Sequence, residues 1–232
     1  MRRDIRAVVF DMDGLMLDTE PIYKIAWQAS AAELGYPIDD AFYATFVGRP
    51  NVECERDLVA RFGSGFPLGQ FRARWPPVWK TEASARGIRK KAGLMELLAF
   101  LDTQDVARAV ATSTEAGDAA FTLRSAGLDT RFGVIVTGDE VAKGKPAPDI
   151  YLEAAKRLQI APEACIALED SEAGILAASR AGMVPLLVPD DARRPSNIAV
   201  DAAFRVLPTL VEARDAIRDL LVLSQVSKRQ AD

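Results

Sequence analysis

The chain has 232 residues, a net charge of −4, 49% apolar residues, two cysteines and no histidine. Compact domains commonly run about 100 to 200 residues, so this length fits one large domain or a core with a smaller insert. The charge offers no general attraction to nucleic acid or anionic membranes. The missing imidazole excludes His-ligated zinc, Ser-His and Cys-His couples, and any histidine base.

In chain order, the first apolar run, Ala7 to Phe10, stops at Asp11. It is too short for a signal-peptide core. No later run approaches the roughly 20 residues that span a bilayer, so a soluble, cytoplasmic protein is expected. Further aliphatic runs at Ala107 to Ala111, Val134 to Val136, Cys165 to Leu168 and Pro185 to Val188 predict strands buried on both faces. Between them Leu94, Leu97, Leu98 and Leu101, then Ile150, Ala154 and Leu158, recur at helical spacing, with stop signals at Gly127 and Gly182. Strand alternating with helix predicts an α/β fold with a parallel sheet.

From Asp18 to about Gly87 no strand pattern appears, and an inserted helical domain is expected. Its first helix would be capped by Asp18 or Thr19, carry Pro21 in its first turn, and bury a stripe of Ile22, Ile25, Ala26, Ala29 and Ala32. Trp75 and Trp79 flank Pro76-Pro77. Packing within the insert is the expected role of these indoles, with a sugar-stacking face as the alternative. Cys54 and Cys165 form no disulfide framework and are expected as small buried hydrophobes.

The carboxyl ends of parallel strands form the usual ligand crevice. Here the predicted strands end in Asp11-Met12-Asp13-Gly14, Thr112-Ser113 and Glu169-Asp170, with Lys145 in the loop after the third. Strand alternation would turn Asp11 and Asp13 to one side, and Glu169 and Asp170 add negative charge. A hard divalent cation held by oxygens resolves that repulsion, and Mg²⁺ suits a site that also takes a phosphate oxygen. Lys145 would offset the charge of a phosphate ester and Thr112 would donate to another of its oxygens. Asp11 then acts as nucleophile and Asp13 as acid and base. An isolated Asp-x-Asp also suits a calcium loop, but Gly14 comes two places early and Leu15 occupies a ligand position of that loop.

Together FDMDGLMLDTE, ATST, KGKPAPDIY and LEDSEAGI resemble the haloacid-dehalogenase-like superfamily, in the branch of β-phosphoglucomutase and sugar-phosphate phosphatases. The resemblance implies a Rossmann-like core of residues 1–17 and 88–232 with a helical cap at 18–87. It implies Asp11 as nucleophile, Asp13 as acid/base, and Thr112, Ser113 and Lys145 as phosphate-binding residues. The implied Mg²⁺ ligands are Asp11, the Asp13 main-chain carbonyl, Asp170, and Glu169 directly or through water. An acid at the position of Asp13 sets aside dehalogenases and phosphonate-cleaving members. The substrate is then a small phosphorylated metabolite, handled by a phosphatase or, alternatively, a phosphohexose mutase. Tyr23 stands where the mutase carries a histidine, whereas Arg49 in VGRPN falls where the mutase contacts the phosphate that is not transferred; at Arg49 a plain surface role is the alternative. Ala92-Gly93 replaces a common Pro-Gly before the core's first helix. A monomer is the favoured state.

Overall fold

A computed structural model describes residues 4–47, 49, 51–190 and 194–228, with side chains to 222. In chain order the elements are β1 (Ala7–Phe10), β2 (Leu17–Asp18), α1 (Glu20–Glu33), α2 (Asp40–Ala44), α3 (Asn51–Phe62), α4 (Leu68–Arg86), β3 (Arg89–Lys90) and α5 (Leu94–Asp102). There follow β4 (Ala107–Ala111), α6 (Ala116–Ser125), β5 (Val134–Val136), α7 (Asp149–Leu158), β6 (Cys165–Glu169), α8 (Glu172–Arg180), β7 (Val184–Leu187), α9 (Asn197–Ala202), β8 (Arg205–Val206) and α10 (Leu210–Lys228). They form two compact units, Met1–Leu17 with Lys90–Asp232, and Asp18–Arg89.

The first unit is a Rossmann-like α/β layer structure around a six-stranded parallel sheet of order β5-β4-β1-β6-β7-β8. All four side chains of β1 are buried, which is why its sequence is an unbroken apolar run rather than an alternating one. Ala7 and Val9 share a cluster with Ile150, Tyr151 and Ala154 of α7 and Ala177 and Ala178 of α8. Alternation turns Val8 and Phe10 to the opposite face, where Phe10 meets Phe132 edge-on at 5.6 Å. On α5 the four leucines at 94, 97, 98 and 101 are all buried, each contributing about 1.5–3 kcal/mol of transfer free energy. From β1 the chain moves outward to β4 and β5, then returns to the other side of β1 for β6. That reversal opens a crevice at the carboxyl ends of β4, β1 and β6.

The second unit packs α1 on α4 around Trp27, Tyr43, Phe46, Phe66 and Phe71. Here the expectation for α1 needs correction. Its buried residues are Ile22, Ala26, Trp27, Ser30 and Ala31, while Ile25 and Ala29 are half-buried and Ala32 is exposed. The seam follows the bulky indole, because Trp27 meets Phe71 edge-on at 5.1 Å, and the alanines fall beside it. Thr19 occupies the N-cap position in a helical conformation with no side-chain cap bond, and Asp18 is engaged by Arg89. Trp75 and Trp79 lie within α4 and pack against Tyr23 at 5.8 and 5.3 Å.

Other boundaries shift in the first unit. The fourth expected strand extends to Glu169 and the fifth spans Val184–Leu187. Gly127 and Gly182, both at positive φ, follow α6 and α8, not the two helices read from leucine and isoleucine spacing. Of those, α7 closes on Gln159 in a left-handed conformation and α5 on Thr103. Strands β2, β3 and β8 were not expected; each has two residues, too few for a periodic signal.

Candidate active site

The strand ladder runs one residue past β1 and β4: the Asp11 N–H donates to the Leu168 carbonyl at 3.0 Å, and the Thr112 N–H to the Val136 carbonyl at 3.0 Å. Both residues are thereby fixed at the lip of the crevice. Glu169, the last residue of β6, is fully buried, and Asp170 follows it. Ligand oxygens of Asp11, Glu169 and Asp170 lie within 4.8 Å of one another.

Into this group the loop after β5 inserts Lys145, whose side chain is 5% exposed. Its Nζ donates to Asp11 Oδ1 at 2.5 Å, Glu169 Oε1 at 2.6 Å and the Ala111 carbonyl at 3.0 Å, which uses all three ammonium protons. Burial opposes the charge on Lys145, but Asp11 and Glu169 outweigh it and hold the ammonium above its ordinary value. Three carboxylates against one ammonium leave an excess of negative charge in a largely buried site. Burial pushes Asp11 up to about 8, with Lys145 opposing and Glu169 reinforcing the shift. Asp170 is raised well above the ordinary carboxylate value by burial and by Asp11. An all-oxygen donor set with surplus negative charge suits a hard divalent cation. Asp11, Glu169 and Asp170 are the side chains that could hold one.

Glu169 is held from every side. Tyr151 on α7 donates to Oε1 at 2.6 Å, while Oε2 accepts from the N–H groups of Asp170 at 3.2 Å and Ser171 at 3.3 Å and from Ser171 Oγ at 3.0 Å. Burial keeps the Tyr151 phenol well above its ordinary value, so it remains a donor. Two glycines make room for the acids. A Cβ on Gly174 would lie 1.8 Å from Glu169 Oε1, and one on Gly14, at φ +85°, would lie 2.3 Å from Asp170 Oδ2.

The alternation argument for Asp13 does not carry past Phe10, because β1 ends there and Asp13 lies beyond it in an isolated bridge with Leu17. Its carboxylate lies outside the three-acid cluster and accepts from Thr114 Oγ1 at 2.8 Å. Thr112 is buried, and its hydroxyl oxygen accepts from the Thr114 N–H at 3.1 Å. Ser113 beside it is exposed. Arg49 belongs to the other unit, where its guanidinium donates to Asp57 at 2.6 Å and to the Thr45 carbonyl at 3.2 Å and lies 3.6 Å from Glu53. Thr114 and Tyr151 are not singled out by the sequence, although they are the last residues of ATST and KGKPAPDIY.

A family profile described as haloacid dehalogenase-like hydrolase matches residues 5–182. The chain belongs to the haloacid dehalogenase-like hydrolases. Among curated relatives, it is 35% identical over 179 residues to a phosphorylated carbohydrates phosphatase from Thermotoga maritima, spanning 77% of this chain and 82% of the relative. It is 30% identical over 192 residues to a beta-phosphoglucomutase from Bacillus subtilis, spanning 77% and 81%. The solved structure of CbbY from Rhodobacter sphaeroides in complex with phosphate superposes with a TM-score of 0.75 at 29% identity, covering 90% of this chain and 96% of that one. The core fold expected from the resemblance is therefore present. Among the described residues no helix is long and apolar enough to cross a membrane.

Proposed function

We infer that the chain is a Mg²⁺-dependent phosphatase of small phosphate monoesters, sugar phosphates foremost, working through an aspartyl phosphate on Asp11. The observation that carries this reading is the buried Lys145 ammonium set between Asp11 and Glu169. A carboxylate can attack an anionic ester only where cations offset the repulsion. In this reading an Asp11 oxygen bonds to phosphorus as the bond to the leaving oxygen breaks, and Asp13 gives that oxygen its proton. Water then attacks phosphorus, Asp13 takes a proton from it, and the bond to Asp11 breaks, releasing phosphate and the free carboxylate. Thr112 and Ser113 bind phosphoryl oxygens, and Lys145 binds another as its bond to Asp11 gives way when that carboxylate attacks phosphorus. The Thr112 hydroxyl oxygen is occupied by the Thr114 N–H, which leaves its proton for the substrate.

Asp11, Asp170 and the Asp13 main-chain carbonyl would hold Mg²⁺, which supplies charge neutralisation at the phosphate oxygens. Both oxygens of Glu169 are already engaged by protein donors, which favours its acting through water. Residues 18–87 are assigned as the cap that excludes bulk water and selects the substrate, with Arg49 contacting it. A monomeric, cytoplasmic protein acting on a phosphorylated metabolite, without nucleic acid or membrane, belongs to the same reading.

A phosphohexose mutase is the second reading, favoured by the similarity to the Bacillus subtilis mutase and by Arg49 in VGRPN. The engagement of Arg49 by Asp57 and Glu53 and the absence of histidine weigh against it. A phosphate-release screen over sugar, deoxysugar and nucleotide-like monophosphates, with a hexose-phosphate isomer assay alongside, separates the two. Release that needs Mg²⁺ and vanishes in Asp11→Asn is expected; isomer interconversion outrunning release would overturn the phosphatase in favour of the mutase.

A further inference from the structure

Thr114 gives its only hydroxyl proton to Asp13 Oδ2, at 2.8 Å. The residue is anchored at both backbone groups: its N–H is held by Thr112 Oγ1 at 3.1 Å, and its carbonyl accepts from the Gly138 N–H at 3.1 Å. The anchor on the Gly138 side is itself tight, because a Cβ on Gly138 would lie 2.3 Å from the Ser113 carbonyl oxygen. Two residues on, the Ala116 N–H donates to Asp139 Oδ1 at 3.0 Å, and Asp139 also accepts from Thr137 Oγ1 at 2.7 Å. The Thr114 hydroxyl is thus a donor mounted on a braced loop. Asp13, by contrast, sits in the turn beyond β1, ahead of Gly14 at φ +85° and bridged to Leu17.

We propose that Thr114 is a positioning residue for Asp13, holding the carboxyl plane so that proton delivery to the leaving oxygen runs from Oδ1. In a protonated carboxyl group the carbonyl oxygen is the stronger acceptor, so a donor fixed on one oxygen favours the proton on the other. A donor fixed on Oδ2 therefore selects Oδ1 as the atom that gives up the proton. The balance is simple: the bond from phosphorus to the leaving oxygen breaks, the proton on Oδ1 passes to that oxygen, and Asp13 is left as a carboxylate that still accepts from Thr114. The inference rests on the phosphatase reading, with Asp13 as the acid.

The test compares two esters in the wild type, Thr114→Val and Thr114→Ser. An alkyl phosphate such as glycerol phosphate leaves as an alkoxide and needs the proton, whereas 4-nitrophenyl phosphate leaves as a stable phenolate and does not. The quantity read is kcat/KM, which covers the steps through phosphoryl transfer and leaves out the shared hydrolysis of the aspartyl phosphate. Thr114→Val should lose at least about tenfold more kcat/KM on the alkyl ester than on the nitrophenyl ester, within the range general acids contribute. Thr114→Ser, which keeps the hydroxyl, should recover most of that difference. Equal losses on both esters, as a phosphate-binding or purely structural role would give, overturn the proposal, and so does a serine variant no better than valine. A wild type that hydrolyses neither ester, across the metabolite screen as well, sinks the phosphatase reading first and this proposal with it.

Discussion

Lys145→Met removes the cation that the structure places inside the acidic cluster while keeping a side chain of similar length. In the wild type the ammonium holds Asp11 at 2.5 Å and Glu169 at 2.6 Å with a side chain only 5% exposed. Deleting one partner of a buried ion pair leaves uncompensated charge and costs about 3–5 kcal/mol. The methionine stem limits any added cavity cost. The penalty depends on pH with a definite sign. A carboxyl group whose folded pKa is raised holds its proton when folded and loses it when unfolded, so stability is lost as pH rises through the folded value. For metal-free wild type that window runs from the ordinary 3.8 to about 8 for Asp11. Removing the ammonium lifts it further, so the variant should lose more stability at pH 9 than at pH 6. Urea unfolding without divalent cations, followed by far-UV circular dichroism, measures both. Indole fluorescence is the wrong probe, since Trp27, Trp75 and Trp79 all lie in the Asp18–Arg89 unit. A loss below about 1 kcal/mol at both pH values, or a larger loss at the lower one, would refute the reasoning.

Asp11→Asn should raise the metal-free melting temperature at pH 8, because it removes a buried charge, and the gain should shrink toward pH 5 where the native carboxyl is protonated. The same variant should forfeit the stabilisation that saturating Mg²⁺ gives the wild type, about 2.7 kcal/mol at a hundredfold excess over Kd. Gly174→Ala puts a Cβ 1.8 Å from Glu169 Oε1; melts should show a loss of about 1–3 kcal/mol, and Mg²⁺ titration a weakened site. Gly93→Ala combines a φ of +84° with a Cβ 2.6 Å from the Val211 nitrogen. It should cost more than the roughly 1–2 kcal/mol of the left-handed conformation alone, measured by urea unfolding.

The parts of the fold legible in the sequence are those whose signal is local and dense. Strands buried on both faces carry their burial as a continuous apolar run, as in Ala7–Phe10 and Cys165–Leu168, and the acids and hydroxyls after these runs mark the crevice. Two-residue strands such as Arg205–Val206, both exposed, carry no such run. The α1 seam is not fixed by spacing, because small alanines look as apolar as Trp27 in a periodic count, whereas the aromatic rings of the second unit decide which face turns inward. Within the site, the roles of single polar atoms were not legible. Tyr151 reads as one more buried helix residue, and its bond to Glu169, 18 positions away, exists only once α7 packs beside β6. Thr114 and Asp13 are 101 positions apart, and the strand order brings them together.

The most direct test of the phosphatase reading is to quench the working enzyme in acid and map the phosphoryl group by peptide mass. With Mg²⁺ and a phosphate monoester that is turned over, a phosphoryl adduct on Asp11 is expected, lost in metal-free enzyme and in Asp11→Asn. A phosphoryl group on any other residue, or undiminished turnover by Asp11→Asn, would contradict it.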